Sequence, residues 1–437
     1  MARLLLIGFL VIAAALRIAG AVSDLWLDEI WSLNNTARLQ SPAAILTSIH
    51  HDNNHHLNTA YQYAVGHNHS PLVYRLPAVL SGVLLISLIA MTLWKKNKVE
   101  AIIAAALLAF NYPLILYSSE ARGYSLALLF AAAAVLLLMH SRRPATTRVI
   151  LAFAACVILG MLSHLTFIFF YLVIAACTMK IPRLHIIPAA FLVFLYLTDI
   201  RWMHVGGGDK SPLHIVLADL LTYTWGLPSA GAFGVVAALI AAGLFAWIWK
   251  YTARTEFLLA AGILAVPVAV VLVTKPDFLA VRYFLFAVPV LLLMSARALT
   301  ALARHGRLGQ VASAAILVLY TAGNALPAYD LIRYGRGEYR RAVADMAALT
   351  PGALILGSDH EFRNRTVLDY YAPAFHYTDL APEWFLTHDF NRAAITPATI
   401  TVENACYSLC RRYPSAPLSG WNWNLYRRSC PSVQAQR

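Results

Sequence analysis

The sequence predicts an all-α polytopic membrane protein with a small α/β domain at its C-terminal end, and three observations lead there. Of 437 residues, 60% are hydrophobic and 13% charged, with a mean hydropathy of +0.63, too apolar for a soluble chain of this size. The apolar residues gather in runs of roughly 15 to 23, long enough to cross a bilayer. Near residue 329 the composition shifts abruptly toward charged and aromatic residues.

Eleven runs read as spans: about 4–22, 72–94, 99–117, 123–140, 149–163, 165–179, 186–200, 231–249, 257–274, 284–299 and 311–328. The stretch 149–179 is divided at Ser163 and His164, because 31 residues exceed one crossing. The first run, Leu4 to Val22, is interrupted only by Arg17 and reads as an uncleaved span.

Loop charge orients these spans. With the N-terminus cytoplasmic, the inside segments hold Arg3, then Lys95, Lys96 and Lys98, then Arg142, Arg143 and Arg148. Lys180 and Arg183, Lys250 and Arg254, and Arg304 and Arg307 complete the series, so every inside loop is basic. The net charge of +13, from 34 basic and 21 acidic residues, is therefore an orientation signal before it is a nucleic-acid signal. Only Glu100 and Glu256 fall inside, which puts 19 of the 21 acids on or near the outer face.

Two outer segments are long: the first loop, residues 23–71, and the tail, residues 329–437. The plan is a transmembrane catalytic domain over 1–328 and a small α/β domain over 329–437. In the tail an amphipathic stretch from Glu338 to Leu349 precedes a Pro351-Gly352 break. A strand-like Ala353 to Leu356 and a helix-like Phe362 to Tyr371 follow.

Several chemistries lack their sequence support. There is no GxxxxGK[ST] phosphate loop, no GxGxxG opening a βαβ unit, no HExxH and no GxSxG. Five cysteines without a CxxC pair exclude a disulfide scaffold. Cys406, Cys410 and Cys430 fall outside, where one bridge and one leftover thiol are expected. Cys156 and Cys177 lie within spans as packing residues.

The candidate site residues cluster on the outer side. Trp26-Leu27-Asp28-Glu29-Ile30-Trp31 sets two adjacent carboxylates just beyond the first span, flanked by tryptophans suited to the headgroup level. On a helix, neighbours point about 100° apart, so one carboxylate can face a cavity while the other caps or pairs. Both could equally be solvated interfacial acids. Glu120 and Arg122, at the junction of two spans, offer a metal ligand or orienting acid and a phosphate-holding base, or simply a loop ion pair. Arg75 and Arg282 both open inward-going spans and, with Arg122, Arg201 and Lys275, could form a cationic wall for phosphate or snorkel from helix ends.

Six of the 15 histidines, His50, His51, His55, His56, His67 and His69, sit within 20 residues of the first loop. With Asp52 they could bind zinc or another divalent ion, though their spacing fits no closed metal site, and contact with a sugar or headgroup is the favoured reading. Asp359-His360-Glu361 reads as a helix cap or solvated turn.

In order and side of the membrane, these motifs resemble the glycosyltransferase C superfamily, specifically the branch of bacterial protein O-mannosyltransferases and the lipid A aminoarabinose transferase. The resemblance rests on Leu27-Asp28-Glu29, Asp52-Asn53-Asn54-His55-His56-Leu57-Asn58, Tyr74-Arg75-Leu76-Pro77, Ser119-Glu120-Ala121-Arg122-Gly123-Tyr124 and Arg282-Tyr283, and covers roughly residues 1–300. Two positions depart from it: His56 stands where relatives often have proline, and Gly123 where many do.

The resemblance implies an inverting transfer of a monosaccharide from a polyprenyl-phosphate donor, such as undecaprenyl phosphate, to a hydroxyl of a glycolipid, glycan or protein. The enzyme would sit in the bacterial inner membrane with its site facing the periplasm. Asp28 is then the base candidate, with Glu29 beside it. Arg75, Glu120, Arg122, Tyr124, Arg282, Tyr283, His55 and His56 would shape the donor phosphate and sugar site. A divalent metal, if one is used, would take Glu120 and His55. The other readings are a lipid-linked sugar flippase, which needs the cations but no base, and a non-catalytic assembly factor.

Overall fold

The computed structural model describes residues 1–140, 146–207, 211–229, 231–350, 354–373, 375–378, 382–389 and 395–428. Arg142, Arg143, the Pro351-Gly352 break, Ala353 and Cys430 lie outside the described residues. The chain forms two compact units, one from Met1–Ala21 with Asn35–Leu326 and one from Val22–Asn34 with Pro327–Arg437.

Every one of the eleven apolar runs falls on helix. Among the described residues, five helices are long and apolar enough to cross a membrane by length and composition: Ala2–Ala21, Pro71–Trp94, Ala232–Tyr251, Arg254–Thr274 and Gly306–Tyr334. Shorter apolar helices include Tyr124–His140, Thr147–Ser163, Phe167–Thr178 and Ala287–Ala303. Leu239, Val273 and Leu319 are 67%, 82% and 71% exposed, which is stable only where the surrounding medium is itself apolar. This is a multi-pass membrane protein.

The break at Ser163 and His164 has a local cause. His164 is extended, and its Nδ1 accepts from the Thr166 N–H at 3.1 Å just ahead of the helix that begins at Phe167. A second break was not predicted. The run 99–117 divides into Lys98–Phe110 and Tyr112–Tyr117, because Asn111 is extended and its Oδ1 accepts from the Leu114 N–H at 3.1 Å, with Pro113 in the new first turn.

That break frees carbonyls at membrane depth, and polar side chains from other helices meet them. Arg17 donates to Leu108 O at 3.3 Å and Ala109 O at 3.4 Å, while Tyr320 Oη donates to Leu107 O at 2.7 Å. The arginine that interrupts the first span is therefore buried, 1% exposed, against a helix C-terminus where a cation is favoured.

The second unit holds a six-stranded sheet. Its strands are β1 (Ile355–Ser358), β2 (His376–Tyr377), β3 (Trp384–Asp389), β4 (Thr399–Val402), β5 (Ala405–Tyr413) and β6 (Asn422–Arg428), in the order β2-β1-β3-β6-β5-β4. β1 pairs in parallel with β2 and β3, and the remaining pairs are antiparallel. Helices Tyr339–Leu349 and Glu361–Tyr371 match the two helical stretches read from sequence. Trp384, Trp423 and Tyr339 are buried, and Tyr407 is buried with Phe385 and Tyr426 in a separate cluster.

Residues 22–34 belong to this second unit. Arg340 Nε pairs with Asp24 at 3.1 Å, Tyr371 Oη donates to Leu25 O at 3.0 Å, and Trp31 meets Phe362 edge to face with ring centroids 5.5 Å apart. The segment carrying Asp28 and Glu29 is thus tied to the C-terminal domain.

Candidate functional site

Asp28 and Glu29 open the helix Leu27–Ala37, and the helical offset separates them as the sequence requires. Glu29 is fully buried, and its Oε2 accepts from the Trp26 N–H at 3.2 Å, so it caps its own helix. Asp28 is half-buried; its main-chain carbonyl accepts from Ser32 Oγ at 2.8 Å. The charges of Asp24, Glu29 and Asp28 reach Tyr339, whose hydroxyl is pushed up first by burial and then by these acids.

In the first unit the polar loop folds onto itself. Asn54 Nδ2 donates to Ile45 O at 2.8 Å and Ile49 O at 2.9 Å, and Thr59 Oγ1 donates to Asn54 Oδ1 at 2.9 Å. Asn58 Nδ2 donates to Ala121 O at 2.6 Å, which joins the loop to the Ser119–Tyr124 motif. All these side chains are buried, so the Asn-rich stretch is a framework rather than solvated loop.

His55 lies at the centre. Gly123 N–H donates to its Nδ1 at 2.8 Å, and Arg122 Nη2 stands 3.0 Å from its Nε2. Its rings neighbour Tyr124 and His164, with centroids 5.3 and 4.5 Å away. Burial holds the His55 pKa well below the usual imidazole range, reinforced by the charges of Arg122, His164, Arg282 and His56. His164 is lowered for the same reasons, burial first and then Arg122 and Arg282.

A neutral imidazole whose Nδ1 accepts from Gly123 carries its proton on Nε2. Arg122 is always a donor. The two nitrogens lie 3.0 Å apart, and with the charge of Arg282 they make a buried, positive surface of the kind an anionic oxygen prefers. Arg282 adds positive potential to the same histidines, and Arg122 lies over the Tyr124 ring at 5.3 Å. The Tyr124 hydroxyl is buried without a hydrogen-bond partner, as is Asn58 Oδ1. The charges of Glu120, Arg122, Arg282 and Tyr283 all reach Tyr124, so these four belong to one neighbourhood.

The two departures from the family pattern both have structural work. A Cβ on Gly123 would lie 1.7 Å from Ser163 O, and proline there would remove the N–H that His55 accepts. His56 Nε2 bonds Asp199 Oδ2 at 2.7 Å, while His50 Nδ1 bonds Asp199 Oδ1 at 2.9 Å. Asp199 was missed by the sequence reading, though an acid within the apolar run 186–200 is a signal in its own right. His164 was used there only to divide a long run.

Other predicted residues make contacts of their own. Arg75 is fully buried and donates from Nη1 to Ala21 O at 3.0 Å, at the C-terminal end of the first helix. Asp52 bonds the His51 ring at 2.9 Å and the Gly206 N–H at 3.0 Å. Burial would raise its pKa, but these bonds and the charges of His51 and Arg122 outweigh it and leave it lowered. Among the described residues no group of three or more His, Cys, Asp or Glu is gathered to hold a metal ion. Gly123 N–H and Arg122 Nη2 approach the two ring nitrogens of His55 at 2.8 and 3.0 Å.

In the tail, His360 Nδ1 accepts from the Arg363 N–H at 3.3 Å and caps the helix Glu361–Tyr371, while Asp359 pairs with His388 at 2.9 Å. Cys406 is disulfide-bonded and Cys410 is a free, exposed thiol.

The depressed histidines set a pH dependence of stability. In the unfolded chain each imidazole titrates near ~6.5, whereas in the folded chain the charged form is disfavoured. The stabilisation is complete above the unfolded pKa and is lost as pH falls through 6.5 toward the lower folded values. The melting temperature should thus drop between pH 7.5 and 5, and the double variant His55→Gln/His164→Gln should flatten that dependence. An equally steep drop in the double variant would assign it elsewhere.

No family model matches the chain, and no curated protein matches it by sequence. Among solved structures it is similar to ArnT from Cupriavidus metallidurans. To the apo crystal structure the TM-score is 0.55 at 12% identity, covering 96% of this chain and 97% of that one. To the crystal structure bound to undecaprenyl phosphate the TM-score is 0.56 at 13% identity, covering 98% and 99%. At this identity the likeness speaks for the fold, and across nearly its whole length the chain has the fold of ArnT.

Proposed function

We propose that this protein is an inverting membrane glycosyltransferase that moves a monosaccharide from a polyprenyl-phosphate carrier to a hydroxyl acceptor on the periplasmic face. The observation that carries the reading is the buried cluster in which Arg122 Nη2 lies 3.0 Å from His55 Nε2 under the added charge of Arg282. A lipid phosphate departing from a sugar needs such donors where negative charge accumulates. The shared fold supports the choice of lipid, since ArnT has been captured with undecaprenyl phosphate.

In this scheme Asp28 accepts the proton of the acceptor hydroxyl as its oxygen attacks the anomeric carbon. The bond between that carbon and the phosphate oxygen breaks, and the polyprenyl phosphate leaves with the electron pair. Arg122, His55 and Arg282 stabilise the phosphate, Tyr124 offers its hydroxyl to the donor, and Glu120 orients the cations. Glu29 holds the helix that carries Asp28. The proposed base lies on the segment that belongs to the second unit, and the tail of that unit is proposed to select the acceptor.

The test is purified protein in lipid, supplied with a panel of polyprenyl-phosphate monosaccharides and hydroxyl acceptors, with polyprenyl phosphate release followed by mass spectrometry. Release from one donor, matched by glycosylated acceptor, is the expected result. Retained donor binding without release across the panel would replace transfer by transport.

A further inference from the structure

A cavity of about 300 Å³ lies in the first unit at the helix ends that carry the basic loops. Its body is apolar, lined by Leu85, Leu128, Phe170, Ile263, Phe286 and Val290, and its mouth carries Lys96, Glu100, Glu256 and Arg297. Nothing in the transfer scheme uses it.

The mouth is built from an improbable set of charges. Glu100 and Glu256 are the only two acids that the loop-charge topology places on this side, and both converge on Arg297. Glu256 Oε2 lies 2.8 Å from Arg297 Nη1, and Glu100 Oε1 lies 3.5 Å from Nε. Arg297 and Glu256 remain 42% and 46% exposed, so the group is open to a ligand, and Lys96 is exposed beside it. Two positive and two negative charges leave the mouth neutral but strongly dipolar.

The depth is that of one leaflet. Phe286, which precedes the helix Ala287–Ala303, and Arg297 on that helix are separated by about 16 Å at ~1.5 Å per residue. Half of a hydrocarbon core of ~30 Å is ~15 Å. The volume is at the lower end of the ~300–1,000 Å³ range of ligand pockets and suits one chain.

We propose that this cavity binds a zwitterionic phospholipid with a primary amine, drawn from the leaflet on the basic-loop side. One acyl chain fills the apolar body, the ammonium donates to Glu256 and Glu100, and the phosphate accepts from Lys96 and Arg297. A purely anionic headgroup would set a like charge against the two carboxylates, and a quaternary ammonium has no proton to donate. A polyprenyl phosphate lacks the ammonium altogether.

The test is native mass spectrometry of the delipidated full-length protein, titrated separately with phosphatidylethanolamine, phosphatidylcholine, phosphatidylglycerol and undecaprenyl phosphate. One phosphatidylethanolamine is expected to bind about tenfold more tightly than the other lipids at this site. Glu256→Gln should erase that preference, and Ala132→Leu, which narrows the cavity without touching a charge, should weaken binding of the chain itself. Melting in detergent without lipid checks that both variants fold. Equal binding of all four lipids, competition by undecaprenyl phosphate for the same site, or binding untouched by both variants would overturn the proposal and leave Arg297 as a staple between helices. None of these readouts depends on glycosyl transfer, so this inference and the proposed function stand or fall separately.

Discussion

Asp28→Asn is expected to slow polyprenyl phosphate release by about 10²- to 10⁴-fold, the usual loss when a positioned base is removed. Asparagine keeps the size of the side chain but cannot take the acceptor's proton. The bond from Ser32 goes to the main-chain carbonyl of Asp28 and survives the change, and the half-buried site leaves stability within about 0.5 kcal/mol. The neighbouring variant Glu29→Gln should do the opposite. Its carboxylate caps a helix N-terminus while fully buried, so its weakening should cost about 0.5–2 kcal/mol of stability with turnover per folded molecule retained. Turnover assays beside thermal melts of both variants separate the two roles. Full activity of Asp28→Asn at normal expression would remove Asp28 as the base.

Arg122→Lys is expected to lower kcat/KM for the lipid-linked donor by about 10- to 100-fold, because a charge-assisted hydrogen bond is worth roughly 1.5–3 kcal/mol and an ammonium cannot reproduce the planar fork. The loss should fall mainly on kcat if the donors meet charge that develops as the phosphate leaves. Arg122→Gln adds a second signature. The arginine's charge is the largest cause after burial that keeps His55 neutral, so its removal should raise the His55 pKa toward the unfolded value and make the loss of stability at acid pH smaller. An unchanged kcat/KM in Arg122→Lys would place the phosphate elsewhere.

Much of the molecule was legible in the chain because the governing forces are local. A run such as 72–94 is apolar over the thickness of a bilayer and becomes the helix Pro71–Trp94 without help from distant residues. The helical offset alone separates Asp28 from Glu29, and the Ser163-His164 division follows from length. The tail's two helices were readable from periodicity and local polarity, but most of its sheet was not. Its strands are short and pair across turns and crossovers, with Trp384 opposite Arg427 and Leu356 opposite Trp384. The break at Asn111 also escaped notice, since Asn-Tyr-Pro inside an apolar run looks like a continuous span until the capping bond is seen.

The sequence by itself determined the membrane class, the helices, the basic edge and the residue types available for phosphate chemistry, since hydrophobicity, propensity and charge are properties of adjacent residues. Only the tertiary structure decided which of those residues meet. His56 and Asp199 are 143 positions apart, Arg122 and His55 are 67, and Arg17 and Leu108 are 91. The same folding made Glu100 and Glu256 partners of one arginine. Such pairings arise because a buried polar group must find a partner wherever packing brings one, and a linear chain does not specify that neighbour.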